Sequence, residues 1–236
     1  MTIKAEYISH MGDDLTVANA ARVSFDKHKE LIDGSDEKLI KYLYNHSHWS
    51  PFAHPQITLR ETVPIFVARQ RFKHSVAFAY NEISRRYVDS PPEFYVPDEW
   101  RGKAENKKQG SSDEIITHVY DPVDYSNGDI EYTQEHNNKI PTSQAYQEYI
   151  KDAQSMYQCL LDSGICPEQA RMILPQSMMT SYYVTGSLYA FMNAYKLRID
   201  SHSQKEIQYL ALEWDKILSK LYPISWNLIN QNKEVN

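Results

Sequence analysis

Apolar residues recur at the spacing of an amphipathic helix in several parts of the chain. The first run predicts a short helix over residues 13–25, with Asp13 or Asp14 as its N-cap. The same spacing, interrupted by proline and polar stretches, predicts further helices near residues 35–45, 64–72, 145–160 and 167–174.

Two longer stripes indicate which side of a helix is buried. One stripe consists of Ala145, Tyr149, Ala153, Met156 and Leu160. Gly164 is well placed to end that helix. The most regular stripe in the chain consists of Ile207, Leu210, Ala211, Trp214, Ile217, Leu218 and Leu221. We expect Asp200 or Ser201 to cap the helix that carries it.

Elsewhere the periodicity changes from that of a helix to that of a strand. Ile57 and Leu59 alternate with polar neighbours, which predicts a half-buried strand in an α+β fold. Residues 102–141 are rich in Gly, Asn, Asp, Ser and Lys and keep no lasting periodicity. We expect this stretch to form a surface insertion in a single domain that spans 1–236.

Composition limits the class of protein. The chain has 236 residues, 42% of them hydrophobic, which is enough to bury a core in one or two domains. The formal net charge of -6 argues against general attraction to nucleic acid or to an anionic membrane. Without a recognisable signal peptide or long apolar run, the sequence fits the cytoplasm. Its only two cysteines, Cys159 and Cys166, are expected to be core residues and not nucleophiles.

The densest group of chemically active side chains lies in residues 69–87. Five cations, two hydroxyls, one carboxylate and several aromatic rings fall within these nineteen residues. Guanidinium groups pair with phosphate and aromatic faces stack on flat rings, so the segment suits an anionic ligand with a flat ring. The alternative interpretation, a solvated basic helix face, has about equal weight.

Two further candidates lie later in the chain. One is the polar group Asn193, Arg198, Asp200, Ser201 and His202, which precedes the last helix and suits an anion as well as it suits ordinary capping. The other is Arg171, which stands on an otherwise apolar turn and therefore needs a partner, either structural or a ligand.

Three histidines close together raise the question of a metal. His46, His48 and His54 contain a His-x-His pair and a third histidine nearby. No acidic residue or cysteine accompanies them at a recognisable spacing, so we predict no metal site.

Six segments in order resemble the flavin-dependent thymidylate synthases, a family unrelated in fold to the cysteine-dependent enzymes. The blocks are Ala20-Ala21-Arg22-Val23-Ser24-Phe25, Ser50-Pro51-Phe52-Ala53-His54, Pro64-Ile65-Phe66-Val67-Ala68-Arg69-Gln70, Asn81-Glu82-Ile83-Ser84-Arg85-Arg86-Tyr87, Ala170-Arg171 and Leu197-Arg198-Ile199-Asp200-Ser201-His202. The resemblance implies a central, mostly antiparallel sheet packed with helices. It also implies a methyltransferase that converts dUMP to dTMP, with FAD as cofactor and with NADPH and methylenetetrahydrofolate as co-substrates. In the family the sites are built between the subunits of a homotetramer.

The resemblance also assigns residues. Arg198 would be catalytic, as a cationic clamp at the pyrimidine edge. Substrate binding is implied for Gln70, Arg71, Lys73, Glu82, Ile83, Ser84, Arg85, Arg86, Arg171 and Arg198. Cofactor binding is implied for His54, Lys73, His74, Ser75, Glu82, Ser187, Tyr189, Asn193 and His202.

The sequence departs from the family pattern at two places. Where the family has Arg-His-Arg followed by seven residues and Ser, this chain has Lys73-His74-Ser75, with eight residues before Ser84. Where the family has Asn-Ala-Arg, this chain has Ser187-Leu188-Tyr189. Both changes remove a guanidinium fork from the expected flavin contacts.

Three other functions remain open from the sequence. The altered flavin motifs leave room for a flavin oxidoreductase on the same scaffold without methyl transfer. The segment 69–87 leaves room for a nucleic-acid-binding module, although the acidic net charge counts against it. The three histidines leave room for a metal-dependent hydrolase.

Overall fold

The structure is a computed structural model that describes residues 2–88, 90–105, 110–120 and 139–231. The chain divides into two compact units. We call residues 84–179 the middle unit, and residues 2–83 together with 180–236 the sheet unit. The expectation of a single domain stays a prediction.

The described residues form eight α-helices, three 3-10 helices and eight strands. In chain order they are β1 (Lys4–Met11), α1 (Asp14–Arg22), a 3-10 helix (Val23–Phe25), α2 (Gly34–Asn45), a 3-10 helix (Ser50–Ala53), β2 (Gln56–Pro64), α3 (Ile65–Arg71), β3 (Phe78–Glu82), β4 (Arg101–Lys103), β5 (Ser111–Ile115), β6 (His118–Tyr120), β7 (Lys139–Pro141), α4 (Thr142–Asp162), α5 (Pro167–Ala170), a 3-10 helix (Arg171–Ile173), β8 (Met179–Ser187), α6 (Leu188–Arg198), α7 (Lys205–Leu221) and α8 (Pro223–Gln231).

The sheet unit is built on a four-stranded sheet with strand order β1-β2-β8-β3. The pairs β1–β2 and β3–β8 are antiparallel. Helix α7 packs against β1, α3, α6 and α8. The predicted α+β fold with a mostly antiparallel sheet is therefore confirmed.

The predicted stripe of α7 forms much of the core of the sheet unit. Ile207, Leu210, Ala211, Trp214 and Leu218 are buried. Burying a large apolar side chain stabilises a fold by about 1.5–3 kcal/mol, so these positions contribute strongly to stability.

Helix ends show which local signals were correct. Asp13 caps α1, as predicted, and its carboxylate accepts a hydrogen bond from the backbone N–H of Thr16 at 2.9 Å. Gly164, with φ of +84°, directly follows the C-cap of α4, as predicted. The predicted cap of α7 is wrong, because Gln204 occupies the N-cap and makes no side-chain capping bond. Asp200 instead accepts a hydrogen bond from the N–H of His202.

The middle unit contains α4, α5 and two small antiparallel pairs, β4–β5 and β6–β7. The ring of Trp100 meets that of Tyr146 edge-on, with centroids 4.9 Å apart. The predicted insertion at 102–141 falls within this unit, and its residues 106–109 and 121–138 lie outside the described part of the chain. That it is an insertion stays a prediction.

The buried side of α4 differs from the predicted stripe. Ile150, Ala153 and Tyr157 are buried, whereas Tyr149 and Met156 are more than half exposed. Cys159 lies three residues after Met156 and thus on the exposed side of α4, and Cys166 is the N-cap of the short α5. Both cysteines are exposed. The expectation that they are core residues is therefore wrong.

None of the helices within the described ranges combines the length and the apolar character needed to cross a lipid bilayer.

Candidate active site

Arg198 and His74 form a direct pair in the sheet unit. Arg198 is the last residue of α6, and His74 lies in the loop after α3. The Nε of Arg198 donates to Nε2 of His74 at 2.8 Å, and its Nη2 donates to the carbonyl of Gln70 at 3.5 Å. Because a guanidinium only donates, Nε2 of His74 must be an unprotonated acceptor. The structure thus brings together three residues that the sequence assigned to substrate and cofactor.

Charge and burial keep His74 neutral. Partial burial, together with the nearby positive charges of Arg198 and Arg71, lowers the pKa of His74 from 6.5 to about 4. Burial, reinforced by Arg71, also lowers the pKa of Arg198, but a guanidinium stays protonated at neutral pH. The pair therefore consists of a cation and a neutral acceptor at pH 7.

Arg71 lies in the core of the sheet unit, in contrast to the expectation that it binds substrate. Its side chain is fully buried, with its Nε 3.1 Å from a carboxylate oxygen of Glu61, which is also fully buried. Its guanidinium is 4.3 Å from the ring centroid of Phe78 and 4.8 Å from that of Trp214. Arg71 is thus enclosed by protein groups.

Ser84, Arg86 and Arg171 come together in the middle unit. The hydroxyl of Ser84 accepts from Nε of Arg86 at 3.2 Å, and Nη1 of Arg86 lies 3.4 Å from a carboxylate oxygen of Glu168. Nε of Arg171 donates to the backbone carbonyl of Glu168 at 3.3 Å. Both guanidinium groups therefore contact Glu168, and the Ser84 hydroxyl contacts Arg86; guanidinium and hydroxyl groups are donors of the kinds that bind phosphate.

The neighbours of these residues in the sequence bond to other protein groups. Arg85 donates to the backbone carbonyls of Ser90 and Pro91. In the sheet unit, Glu82 accepts from the hydroxyl of Thr180 at 2.6 Å. Ile83 is 46% exposed, and its N–H donates to the carbonyl of Ser181.

A pocket of about 100 Å³ lies between α6 and the segment that links α2 to the following 3-10 helix. Its lining includes Tyr44, His48, Trp49, Tyr189, Asn193 and Lys196. We call it the ring pocket, because the rings of Trp49 and Tyr189 lie 5.7 Å apart and the ammonium of Lys196 is 4.6 Å from the ring centroid of Tyr44. The hydroxyl of Tyr44 is buried and has no hydrogen-bond partner among the described residues. The pocket thus combines flat faces, a cation and an available polar group.

The other residues assigned to the cofactor are spread over the sheet unit. Lys73 and Ser75 are exposed on the loop that carries His74. His54 is exposed at the end of the 3-10 helix Ser50–Ala53, and His202 is exposed and bonded to Asp200. Ser187 is buried, and its hydroxyl accepts from the N–H of Ala190 as the N-cap of α6. This capping bond gives Ser187 a structural role, and its expected cofactor contact stays a prediction.

Sequence reasoning missed Tyr44, Trp49 and Lys196 in the ring pocket. One available signal was helical spacing, because Lys196 lies three residues after Asn193 and thus on the same face of α6. It also missed Glu61 and Tyr80, which contact Arg71 from separate strands. Such long-range partners leave no local pattern.

The histidine cluster takes part in aromatic packing. The ring of His46 stacks on Tyr42 with centroids 4.0 Å apart, and His48 meets the same Tyr42 ring edge-on. Within the described ranges, no three His, Cys, Asp or Glu side chains gather as they would around a metal ion.

The α+β sheet unit carries an Arg–His pair and an aromatic pocket, and the middle unit carries a guanidinium-rich cluster; these are the kinds of group that bind phosphates and flat rings. The family model described as thymidylate synthase complementing protein matches residues 6–224, so the chain belongs to that family. The flavin-dependent thymidylate synthase of Pseudothermotoga lettingae is 34% identical over 217 residues, which cover 92% of this chain and 85% of the relative. The enzyme of the same name from Kosmotoga olearia is 37% identical over 216 residues, with coverage of 92% and 85%.

A solved structure agrees with this placement. The UMP/dUMP methylase PolB from Streptomyces cacaoi, bound with 5-Br dUMP, superposes with a TM-score of 0.77 at 31% identity. The match covers 97% of this chain and 95% of PolB.

Proposed function

We propose that this protein is a flavin-dependent thymidylate synthase that methylates C5 of dUMP to give dTMP. The observation that carries the proposal is the pairing of Arg198 with a neutral His74, which presents an oriented cation at a partly buried position. Membership of the thymidylate synthase complementing protein family supports it. So does similarity to relatives that are named flavin-dependent thymidylate synthases and to a dUMP methylase.

The chemistry requires one carbon at C5, two electrons and an activated ring. Cysteine-dependent enzymes activate the ring by adding a thiolate, whereas none of the residues that we assign to dUMP is a cysteine. We propose that methylenetetrahydrofolate supplies the carbon. A bound flavin, reduced by NADPH, would supply the hydride. The protein then contributes positioning and electrostatics.

Arg198 is the residue that we assign to the pyrimidine. Its Nε is held by His74 and its Nη2 by the carbonyl of Gln70, and no acceptor for Nη1 is found in the described part of the chain. A cation in a partly buried position stabilises negative charge on the ring more strongly than it would in water. Because the cation is already oriented, little reorganisation is needed when that charge develops.

We assign the phosphate of dUMP to Ser84, Arg86 and Arg171. Arg86 provides a charged donor beside the hydroxyl of Ser84, and Arg171 provides a second one beside Glu168, which Arg86 also contacts. Within the described residues, Ser84 has no histidine or other base bonded to its hydroxyl, so it binds and does not attack. Gln70 would complete the substrate contacts.

The ring pocket fits part of a flavin nucleotide. Tyr44, Trp49 and Tyr189 offer aromatic faces, and Lys196 and Asn193 offer donors for polar or anionic groups. In the family, arginines of the Arg-His-Arg and Asn-Ala-Arg segments are expected to contact the flavin, and this chain lacks them. The aromatic faces and donors of the ring pocket would make contacts of the same kinds. We propose that this pocket holds one ring system of FAD. The other assigned contacts are His54, Lys73, His74, Ser75, Glu82 and His202. We further propose a cytoplasmic homotetramer whose subunits share the sites.

The test is an absorption spectrum of the purified protein, followed by NADPH oxidation with FAD and methylenetetrahydrofolate, with and without dUMP. We expect flavin bands, dUMP-dependent oxidation and dTMP as product. Failure to bind FAD in excess would overturn the proposal. Oxidation that is independent of dUMP and yields no dTMP would point to a flavin oxidoreductase without methyl transfer.

UMP is a second candidate substrate, because PolB is described as acting on both UMP and dUMP and is also known bound with 5-Br UMP. That complex superposes on this chain with a TM-score of 0.74 at 29% identity. Assays with the two nucleotides at equal concentration separate these possibilities. A higher kcat/KM for UMP would make the ribonucleotide the preferred substrate.

A further inference from the structure

We propose that Arg71 is a positioning residue, which acts through Tyr80 and His74 to hold the guanidinium of Arg198 in place. The inference rests on the proposed function only for the effect of Arg198 on the nucleotide. We call the hydrogen-bonded series Glu61–Arg71–Tyr80–His74–Arg198 the relay. Its contacts lie wholly within the sheet unit.

The relay starts from a fixed anchor. Glu61, on β2, is fully buried and accepts from Nε of Arg71, from the hydroxyl of Tyr182 at 2.6 Å and from Nε1 of Trp214 at 2.8 Å. These donors come from α3, β8 and α7. A carboxylate held by three donors on three elements cannot shift without breaking several buried hydrogen bonds.

The guanidinium of Arg71 is also fixed by rings. Phe78 and Trp214 face it at 4.3 Å and 4.8 Å, and Phe191 lies at 5.5 Å. The Phe78 ring occupies this position because its cross-strand partner is Gly186, where a Cβ would lie only 2.3 Å from the ring. The cation is thus held in one orientation.

From this cation the relay passes through Tyr80. Nη1 of Arg71 donates to the Tyr80 hydroxyl at 2.6 Å, and that hydroxyl donates to the backbone carbonyl of His74 at 2.7 Å. The guanidinium can only donate, so the hydroxyl turns its single hydrogen to a carbonyl, and that of His74 at 2.7 Å is nearer than that of Arg71 at 3.3 Å. The backbone of His74 is therefore tied to the core, and the imidazole on it receives Nε of Arg198.

Charge supports the same role. The positive charge of Arg71 disfavours protonation of His74, and only an unprotonated Nε2 can accept from Arg198. Nη2 of Arg71 is buried and finds no partner among the described residues. Apolar residues often replace a buried ion pair with no loss of stability, so an ion pair with an unused donor suits a role in positioning better than a role in stability.

The experiment compares Tyr80→Phe with Tyr146→Phe. Tyr80→Phe deletes the hydroxyl that links Arg71 to His74 and leaves the Arg71–Glu61 pair intact. Tyr146 is a matched control, because it is a partly buried tyrosine of the middle unit whose hydroxyl donates to the carbonyl of Tyr95 at 3.2 Å. It belongs to neither the relay nor the assigned site.

The first readout is the ¹⁵N spectrum of histidine side chains at neutral pH, assigned with His74→Gln. We expect wild type and Tyr146→Phe to show His74 as one neutral tautomer with its hydrogen on Nδ1. Tyr80→Phe should show a mixture of tautomers, because the acceptor is no longer held at Arg198. An unchanged His74 signal in folded Tyr80→Phe would overturn the relay. This readout needs no flavin or nucleotide, so it decides the relay even if dUMP is not the substrate.

The second readout is steady-state kinetics with dUMP. A shift in the position of Arg198 should lower kcat by about tenfold or more and change KM by less than about threefold, because the clamp acts mainly on charge that develops during reaction. Tyr146→Phe should stay within about twofold of wild type, as expected for a substitution outside the relay. A loss that appears only in KM, or equally in both variants, would contradict a positioning role.

A second variant covers the case in which Tyr80→Phe does not fold. The double substitution Glu61→Gln with Arg71→Met removes both charges of the ion pair, and the introduced amide oxygen can still accept from the buried donors of Tyr182 and Trp214. We expect this variant to fold, to show mixed His74 tautomers and to lose kcat to a similar extent. A folded double variant with wild-type His74 signals and wild-type kcat would overturn the proposal.

Discussion

Arg198 donates from Nε to Nε2 of His74 across 2.8 Å and joins residues that lie 124 positions apart in the sequence. The contact connects the end of α6 to the loop after α3. It can persist only while His74 is neutral at Nε2, so the orientation of the proposed clamp depends on the protonation state of a histidine.

Arg198→Lys tests the clamp. Lysine keeps the charge but loses the planar fork, including the Nε–H that His74 accepts. We expect kcat/KM for dUMP to fall by about 10²-fold or more, with the folded state preserved. The measurement is dUMP-dependent NADPH oxidation with quantified dTMP.

Arg60→Lys is the matched control for that substitution. Arg60 is exposed on β2, and its Nε donates to the hydroxyl of Ser181 at 3.0 Å, so the variant also loses one Nε hydrogen bond. We expect its kcat/KM to stay within about twofold of wild type. Equal losses in the two variants would show that the effect of Arg198→Lys is not specific to the clamp.

Stability should depend on pH through His74. The folded-state pKa of about 4 lies below the ordinary value of 6.5, so the unfolded chain binds a proton in this window that the folded protein does not. The stabilisation is therefore present above pH 6.5 and is lost as the pH falls towards 4. Because the side chain is only half-buried and water screens its charge, we expect a contribution of about 1 kcal/mol between pH 7 and 5.

The measurement for this pH effect is urea unfolding of wild type, His74→Gln and His118→Gln at both pH values. His118 is an exposed histidine of the middle unit and serves as control. His74→Gln should lose less stability on acidification than wild type. An identical acid dependence in His74→Gln and wild type would refute the assignment.

Glu61→Gln should destabilise the protein strongly. The amide cannot neutralise the fully buried guanidinium of Arg71, and breaking a buried pair from one side costs about 3–5 kcal/mol. Glu213→Gln is the control, since Glu213 pairs at the surface with Lys216 and should contribute less than about 1 kcal/mol. Chemical unfolding monitored by circular dichroism measures both changes, and similar midpoints for the two variants would contradict this account of the core.

Tyr189→Ala should weaken FAD binding. Tyr189 lines the ring pocket beside Trp49, and loss of an aromatic stacking partner costs about 1–3 kcal/mol, equivalent to roughly 5- to 150-fold in Kd. Tyr183→Ala, at an exposed tyrosine of β8 outside the pocket, is the control. Equilibrium titration with FAD, followed by the change in flavin fluorescence on binding, provides the measurement. An unchanged Kd for Tyr189→Ala would remove the ring pocket from the proposed flavin site.

Replacing both cysteines should leave catalysis intact. The flavin route needs no thiolate, and Cys159 and Cys166 are exposed. We expect kcat of the Cys159→Ser, Cys166→Ser double variant to stay within about twofold of wild type, as for other surface substitutions. Complete loss of dTMP formation in a folded double variant would favour a cysteine nucleophile and contradict the flavin mechanism.

The chemistry was visible in the sequence, because ordered blocks of residue types identify a family before any contact is known. Helices α1 and α7 were also predictable, since a cap or a one-sided apolar stripe is a local signal. Helix α6 escaped detection for the converse reason. Most of its residues are buried, so it carries no single apolar stripe that periodicity could reveal.

Only tertiary structure decided the direction in which the cations of the 69–87 segment point. Arg69 and Lys73 are exposed, whereas Arg71 enters the core and meets Glu61. In the sequence the three are equivalent charges at alternate positions. Arg71 differs because a carboxylate ten residues earlier and rings from three other elements offset the desolvation of its guanidinium. The sequence by itself determined which chemical groups are present, and tertiary structure decided which of them are buried and which can meet a ligand, because burial and pairing depend on residues far apart in the chain.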